Sequence, residues 1–207
     1  MSENIYTKSM KFNLFKPNSK NTGCLMSFEI GKNKDGSPCW FINAVQQASW
    51  NDSTKTGSFK ENVKNPQKSA VVKMNANEAG EMLSSLKSRI PVQFFHKFGE
   101  GNTIIKWTPW DKDRKIKEQG GEVVYKSPAF GLTLSKNAAS VFKIVFEAGE
   151  TEVLAVLLDD LIKQDLFYAK EAYKKEEQPA PPKQEEKKQE AASSEWEDED
   201  PDSSIPF

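Results

Sequence analysis

Two segments of this 207-residue chain carry apolar residues at helical spacing, and each closes a block of four strand-like segments. The first spans 76–90, with Ala79, Met82, Leu83, Leu86 and Ile90 on one face. Asn75 opens it with Glu78 three places on, the arrangement of a capping box, in which each side chain satisfies the other residue's free backbone N–H. The second spans 150–167, where Val153, Leu154, Leu157, Leu158, Leu161 and Ile162 recur in the same manner. The other apolar segments read as strands: 10–16, 25–30, 39–49 and 69–74 before the first helix, then 91–98, 103–108, 129–135 and 140–146 before the second. This order predicts an α+β fold of two tandem β-β-β-β-α repeats, at about 10–90 and 91–167. Val71-Val-Lys-Met74 matches Val141-Phe-Lys-Ile144, each leading into its helix, and Glu81-Met-Leu83 matches Glu152-Val-Leu154 once one gap is allowed.

The rest of the chain reads differently. From Ala169 to Ser194 the composition narrows almost wholly to Lys, Glu, Gln, Pro, Ala and Ser, and Gln178-Pro-Ala-Pro-Pro-Lys183 is the pattern of an extended, partly polyproline linker. The expected organisation is a folded domain at 1–168, a linker at 169–194 and a tip at 195–207. The tip holds six acidic residues and no basic one. With so little apolar surface to offset its ordering entropy, it is expected to stay disordered until a partner accepts it.

The formal net charge of −1 conceals a strong asymmetry. Residues 1–146 hold 22 Lys and Arg against 12 Asp and Glu, residues 147–169 hold one lysine and six acids, and residues 170–194 hold six of each. A basic body is thus tethered to an acidic end by a neutral spacer. A basic body implies a polyanionic partner.

Several classes of function lack their residues. Cys24 and Cys39 lie fifteen positions apart and His96 is the sole histidine, so no metal-ligand spacing can be assembled and no cofactor is expected. Both cysteines are read as free thiols of a reducing compartment. Gly99-Glu-Gly101 is too short to cradle a phosphate and reads as a hairpin turn. Without a nucleophile elbow, a paired carboxylate set or a partner for His96, an enzyme is not expected. The N-terminus, Met1-Ser-Glu-Asn-Ile-Tyr-Thr-Lys8, has no apolar stretch of the signal-peptide kind, and no run is long enough to cross a bilayer. The expected compartment is the cytoplasm, that of the host if the chain is phage-encoded.

Binding of unpaired nucleic acid without sequence choice needs cations to follow phosphates and aromatic faces on which bases stack. This chain interleaves both. Trp107 and Trp110 stand beside Lys106, Lys112, Arg114, Lys115 and Lys117, in a segment that runs on through Gly120-Gly121 as a flexible insertion. Earlier, Trp40 and Trp50 precede a loop carrying Lys55, Lys60, Lys64 and Lys68. The two loops are expected at the same point of the two repeats. An indole on a strand serves equally as core or as stacking platform, so Trp40 and Trp107 carry both readings. Trp50 and Trp110 border polar loops, which favours a surface role. Phe94-Phe-His-Lys-Phe98 alternates, placing Phe94, His96 and Phe98 on one face and Phe95 and Lys97 on the other.

The tip, with Asp200, Asp202, Ile205, Pro206 and Phe207, resembles the C-terminal tails of bacterial and phage single-stranded DNA-binding proteins, which end in acids followed by Ile-Pro-Phe or a lone Phe. Asp202, Ile205, Pro206 and Phe207 match directly, while Ser203 and Ser204 stand where that family has aspartates. The resemblance implies that the tip recruits replication, recombination and repair proteins. Across 10–167 the order of elements resembles the Whirly family and the related single-stranded DNA-binding transcription coactivators, in which curved antiparallel sheets pack against helices. An oligonucleotide-binding barrel of five strands and one helix is the alternative fold, though it leaves the second helix without a place.

The expected function is sequence-independent binding, coating and protection of single-stranded DNA, with partner recruitment by the tip. The acids of the tail would also compete for the basic face at the millimolar effective concentration that a flexible linker provides. An RNA-binding or strand-annealing protein of the same fold, and an adaptor for an acidic protein, are the alternatives. A homo-oligomer is compatible with all three.

Overall fold

The computed structural model describes residues 10–177. Its elements run β1 (Lys11–Lys16), β2 (Cys24–Lys32), β3 (Pro38–Gln46), β4 (Ser49–Asn51), β5 (Thr56–Ser58), β6 (Ser69–Met74) and α1 (Ala76–Ser88). They continue with β7 (Val92–Phe98), β8 (Gly101–Glu118), β9 (Gly121–Lys136), β10 (Ser140–Phe146) and α2 (Ala148–Glu177). One antiparallel sheet has the order β1-β2-β3-β6 and a second the order β10-β9-β8-β7, while β4 and β5 form a separate hairpin. Each four-stranded sheet is followed by its helix. The two open sheets exclude the five-stranded barrel.

Alternation explains why these segments pair as they do. In β6 the inward residues Ala70, Val72 and Met74 are buried while Val71 and Lys73 face out, and in β10 the same holds for Phe142, Ile144 and Phe146 against Val141, Lys143 and Val145. A shift of one residue would turn each apolar set to solvent, so burial fixes the register. The inner faces of both sheets and the buried sides of both helices share one core. Phe146 joins the halves, with its ring centroid 5.5 Å from Phe28 of the first sheet and 5.1 Å from Trp107 of the second.

Helix α1 starts where the sequence places it. Asn75 Oδ1 accepts from Glu78 N at 2.9 Å, and Glu78 Oε2 accepts from Asn75 N at 3.0 Å, closing the capping box. It ends at Arg89, whose φ of 57° is left-handed, with Pro91 just beyond. Helix α2 continues to Glu177, past Tyr168, where apolar periodicity had suggested the end of the folded part. Residues 169–177 are mostly Ala, Lys and Glu, strong helix formers that need no apolar face to extend a helix already nucleated. Tyr168 fastens this region by donating its hydroxyl to Asp35 O at 2.7 Å.

The insertions differ from expectation. The strand expected at 39–49 stops at Gln46, because the Gln47 side chain is buried and bonded to turns rather than to a strand partner. The lysine-rich loop of the first half lies between its third and fourth strands, whereas the insertion of the second half lies between its second and third, so the two are not equivalent. Nor is the second a loosely structured segment. Beyond the sheet, β8 and β9 keep pairing from Thr108↔Gly131 to Glu118↔Gly121 as a two-stranded ribbon.

Candidate nucleic-acid interface

The outward face of the second sheet is built from cross-strand rows. One row reads Gln93, Lys106, Thr133, Lys143, and the next reads Phe95, Ile104, Ser135, Val141. Phe95 is 60% exposed. A cationic row thus lies directly beside an apolar and aromatic one, with two strands between its lysines.

The ribbon prolongs this face. Residues of one parity place Trp110, Lys112, Arg114 and Ile116 across from Ala129, Ser127, Tyr125 and Val123, on the side that carries Lys106. Trp110 and Tyr125 are both exposed. Lys115 and Lys117 fall on the opposite side with Lys126, so the basic run read as one patch is divided between two faces. Only Lys106, Trp110, Lys112 and Arg114 of that run share a surface.

Ion pairs further sort the cations. Lys112 bonds Glu147, and Arg114 lies 3.8 Å from the same carboxylate. The hydrogen bond from Lys112, reinforced by the charges of Lys112, Lys16 and Arg114, holds the Glu147 carboxyl below its ordinary value, so it stays ionised and neutralises part of the ribbon root. Lys115 pairs with Glu122 at 2.8 Å and Lys126 with Asp113 at 3.3 Å. Tyr125 donates its hydroxyl to Glu118, which raises the tyrosine above its usual value. Lys106, Lys117 and Lys143 take part in no ion pair among the described residues.

The first-half loop is brought to this sheet by tertiary contacts. Lys136 Nζ donates to Pro66 O at 2.9 Å and Ser140 Oγ donates to Gln67 O at 2.8 Å, pinning the loop to the β9–β10 turn. Lys60, Lys64 and Lys68 on that loop are exposed and unpaired among the described residues. Lys55 instead pairs with Asp52 at 3.5 Å in the β4–β5 hairpin. Trp50 is half-buried there and donates its Nε1–H to Asp52 at 3.1 Å.

Trp40 and Trp107 belong to the core. Both are fully buried, and Trp107 stacks on Phe130 with centroids 4.8 Å apart and planes 8° apart, leaving no face for a base. Phe95, Tyr125 and Lys143 were missed as site residues. Alternation already placed Phe95 opposite Phe94, but Tyr125 and Lys143 needed the pairing of β9 with β8 and β10. His96 meets Glu78 Oε1 at 2.6 Å, joining β7 to the start of α1. Phe98, expected to share the inward face, is 91% exposed because its strand ends there. Among the described residues no group of three or more His, Cys, Asp and Glu could hold a metal, and no helix is long and apolar enough to cross a membrane. Asp200, Asp202, Ile205, Pro206 and Phe207 lie outside the described residues.

By architecture this is an α+β protein of Whirly-like fold, with two four-stranded antiparallel sheets, each followed by a helix, around a shared core. It is similar to the crystal structure of WHY1 from Arabidopsis thaliana, with a TM-score of 0.51 at 12% identity over 82% of this chain and 92% of that one. WHY3 from Arabidopsis thaliana gives a TM-score of 0.48 at 13% identity, covering 81% and 95% of the two chains. The plant transcriptional regulator PBF-2 gives 0.47 at 12% identity, covering 81% and 88%. The likeness to WHY1 shows the fold alone. No protein-family model and no curated protein matches the sequence.

Proposed function

We propose that this protein binds single-stranded DNA without sequence choice, coating and protecting it, and that its tip recruits replication, recombination or repair proteins in the cytoplasm. The observation that carries the reading is the Lys106–Thr133–Lys143 row beside Phe95, prolonged by Trp110, Arg114 and Tyr125 on one face of the ribbon. Lysines track phosphates through counterion release, and exposed aromatic rings take unpaired bases at about 1–3 kcal/mol each. The lysines of the 60–68 loop border the same sheet and extend its positive field. The resemblance drawn from the order of elements implies the same class of ligand. No catalytic step belongs to this function.

Titration of the full chain with oligo-dT at low and high salt, followed by tryptophan fluorescence, tests the reading. Saturable quenching that weakens with salt is expected. Unchanged fluorescence with no mobility shift would overturn it, and equal or tighter binding of an RNA oligomer would redirect it to RNA.

A further inference from the structure

The two helices and the root of the ribbon enclose a cleft of about 310 Å³, separate from the outward face of the second sheet. Leu83 and Leu86 of α1, Pro128 and Phe130 of β9 and Ala148 and Ala155 of α2 supply its apolar lining. Its charged lining consists of Lys87 and Arg89 against Glu152. Arg89 is unusual in this setting. Its guanidinium carbon sits 5.6 Å from the Phe130 ring centroid, and Nη2 donates to Trp110 O at 2.9 Å and to Asp111 Oδ1 at 2.8 Å. Nη1 is buried and has no hydrogen-bond partner among the described residues. A buried charged donor without an acceptor is costly, so the cleft is chemically matched to a ligand with an apolar body and a carboxylate.

We infer that this cleft is the resting place of the chain's own tip, with Ile205, Pro206 and Phe207 against the apolar lining and the Asp202 carboxylate toward Arg89. The tip is the only stretch beyond residue 177 that joins an acid-rich run to several consecutive apolar residues. Its charge complements the two cations of the lining. Length permits the contact in cis. The cleft borders α2 at Thr151 and Ala155, so the chain must return along about 35–40 Å of helix from Glu177. The thirty residues 178–207 have an expected root-mean-square span of about 30 Å and a limit of roughly 100 Å. Held there, the tip is withheld from other proteins until one with a better pocket draws it out. Because Arg89 also grips Asp111, occupancy of the cleft is transmitted to the ribbon root.

The test is photo-crosslinking of the full chain carrying Phe207→p-benzoylphenylalanine, with sites mapped by mass spectrometry in a mixture of light and heavy isotopic chains. Intramolecular crosslinks to Leu83, Leu86 or Ala155 are expected. They should be lost in Ala155→Trp, which fills the cleft, and in Ile205→Ser, which lies in the tail and leaves the folded body untouched. Crosslinks confined to the 60–68 loop or the second sheet, crosslinks between light and heavy chains, no crosslinks, or signals that survive Ile205→Ser would each overturn the inference. The readout uses no DNA, so it stands or falls apart from the proposed function.

Discussion

Lys106 and Lys143 flank Thr133 in one cross-strand row, about 10 Å apart across the exposed face of the second sheet. The ion pairs nearby are made by Lys112, Arg114, Lys115 and Lys126 instead, so these two lysines keep their charge for a ligand. Lys106→Gln and Lys143→Gln should each weaken oligo-dT binding and flatten the slope of log affinity against log salt by about 0.7. The slopes from titrations at several salt concentrations check this. An unchanged slope in both variants would remove the row from the interface.

The tryptophans should separate into two kinds. Trp110→Ala is expected to lower affinity by an amount in the range of about 1–3 kcal/mol while leaving the thermal melt unchanged. Trp107, fully buried against Phe130, should do the reverse, with Trp107→Ala costing about 3–5 kcal/mol of stability. Urea unfolding beside oligo-dT titration reads both.

Acid should loosen the ribbon root. Glu147 is held below its ordinary value of 4.5 in the folded state, chiefly by the Lys112 hydrogen bond. The stability it contributes is therefore present above that value and is lost as pH falls through the lower, folded-state value. Urea midpoints measured from neutral pH down into that range should fall for the native chain and fall less steeply for Glu147→Gln.

Gln47 is a buried hub. Its Nε2 donates to Asn18 O at 2.9 Å and Ser49 O at 3.0 Å, and its Oε1 accepts from Asn18 N at 2.9 Å. Gly57 leaves room for it, since a Cβ there would lie 2.9 Å from Nε2. Gln47→Leu orphans these backbone groups and should cost about 1–3 kcal/mol. Faster hydrogen exchange across β4 and β5 should accompany the loss, because Gln47 ties that hairpin to the β1–β2 turn.

Neither thiol should react in the native state. Burial pushes Cys24 up to about 12 and raises Cys39 as well, and the thiolate is the reactive form. Labelling with a disulfide reagent at mildly alkaline pH should be slow in buffer and rapid in denaturing urea. Fast labelling in buffer would show that the first sheet opens readily.

The helices were legible because one-sided burial writes a 3.6-residue period into the sequence, and the Asn75–Glu78 box is a purely local bond pattern. Strand positions were legible for the same reason at period two, as Val71-Val-Lys-Met74 shows. The non-equivalence of the two insertions was not, because strand count along the chain says nothing about which neighbours pair.

What the sequence determined by itself was the order of elements, the basic body, and the supply of lysines and aromatics. Only the tertiary structure decided which of them are available. Trp107 and Trp110 are three residues apart, yet one is sealed under the core and the other is exposed, since alternate residues of a strand point to opposite faces and the partner strands decide which face is covered. The same alternation parts Arg114 from Lys115. The loop around Lys64 is drawn to a sheet seventy residues away by hydrogen bonds to Pro66 and Gln67, contacts between backbone carbonyls and distant side chains that no local pattern encodes.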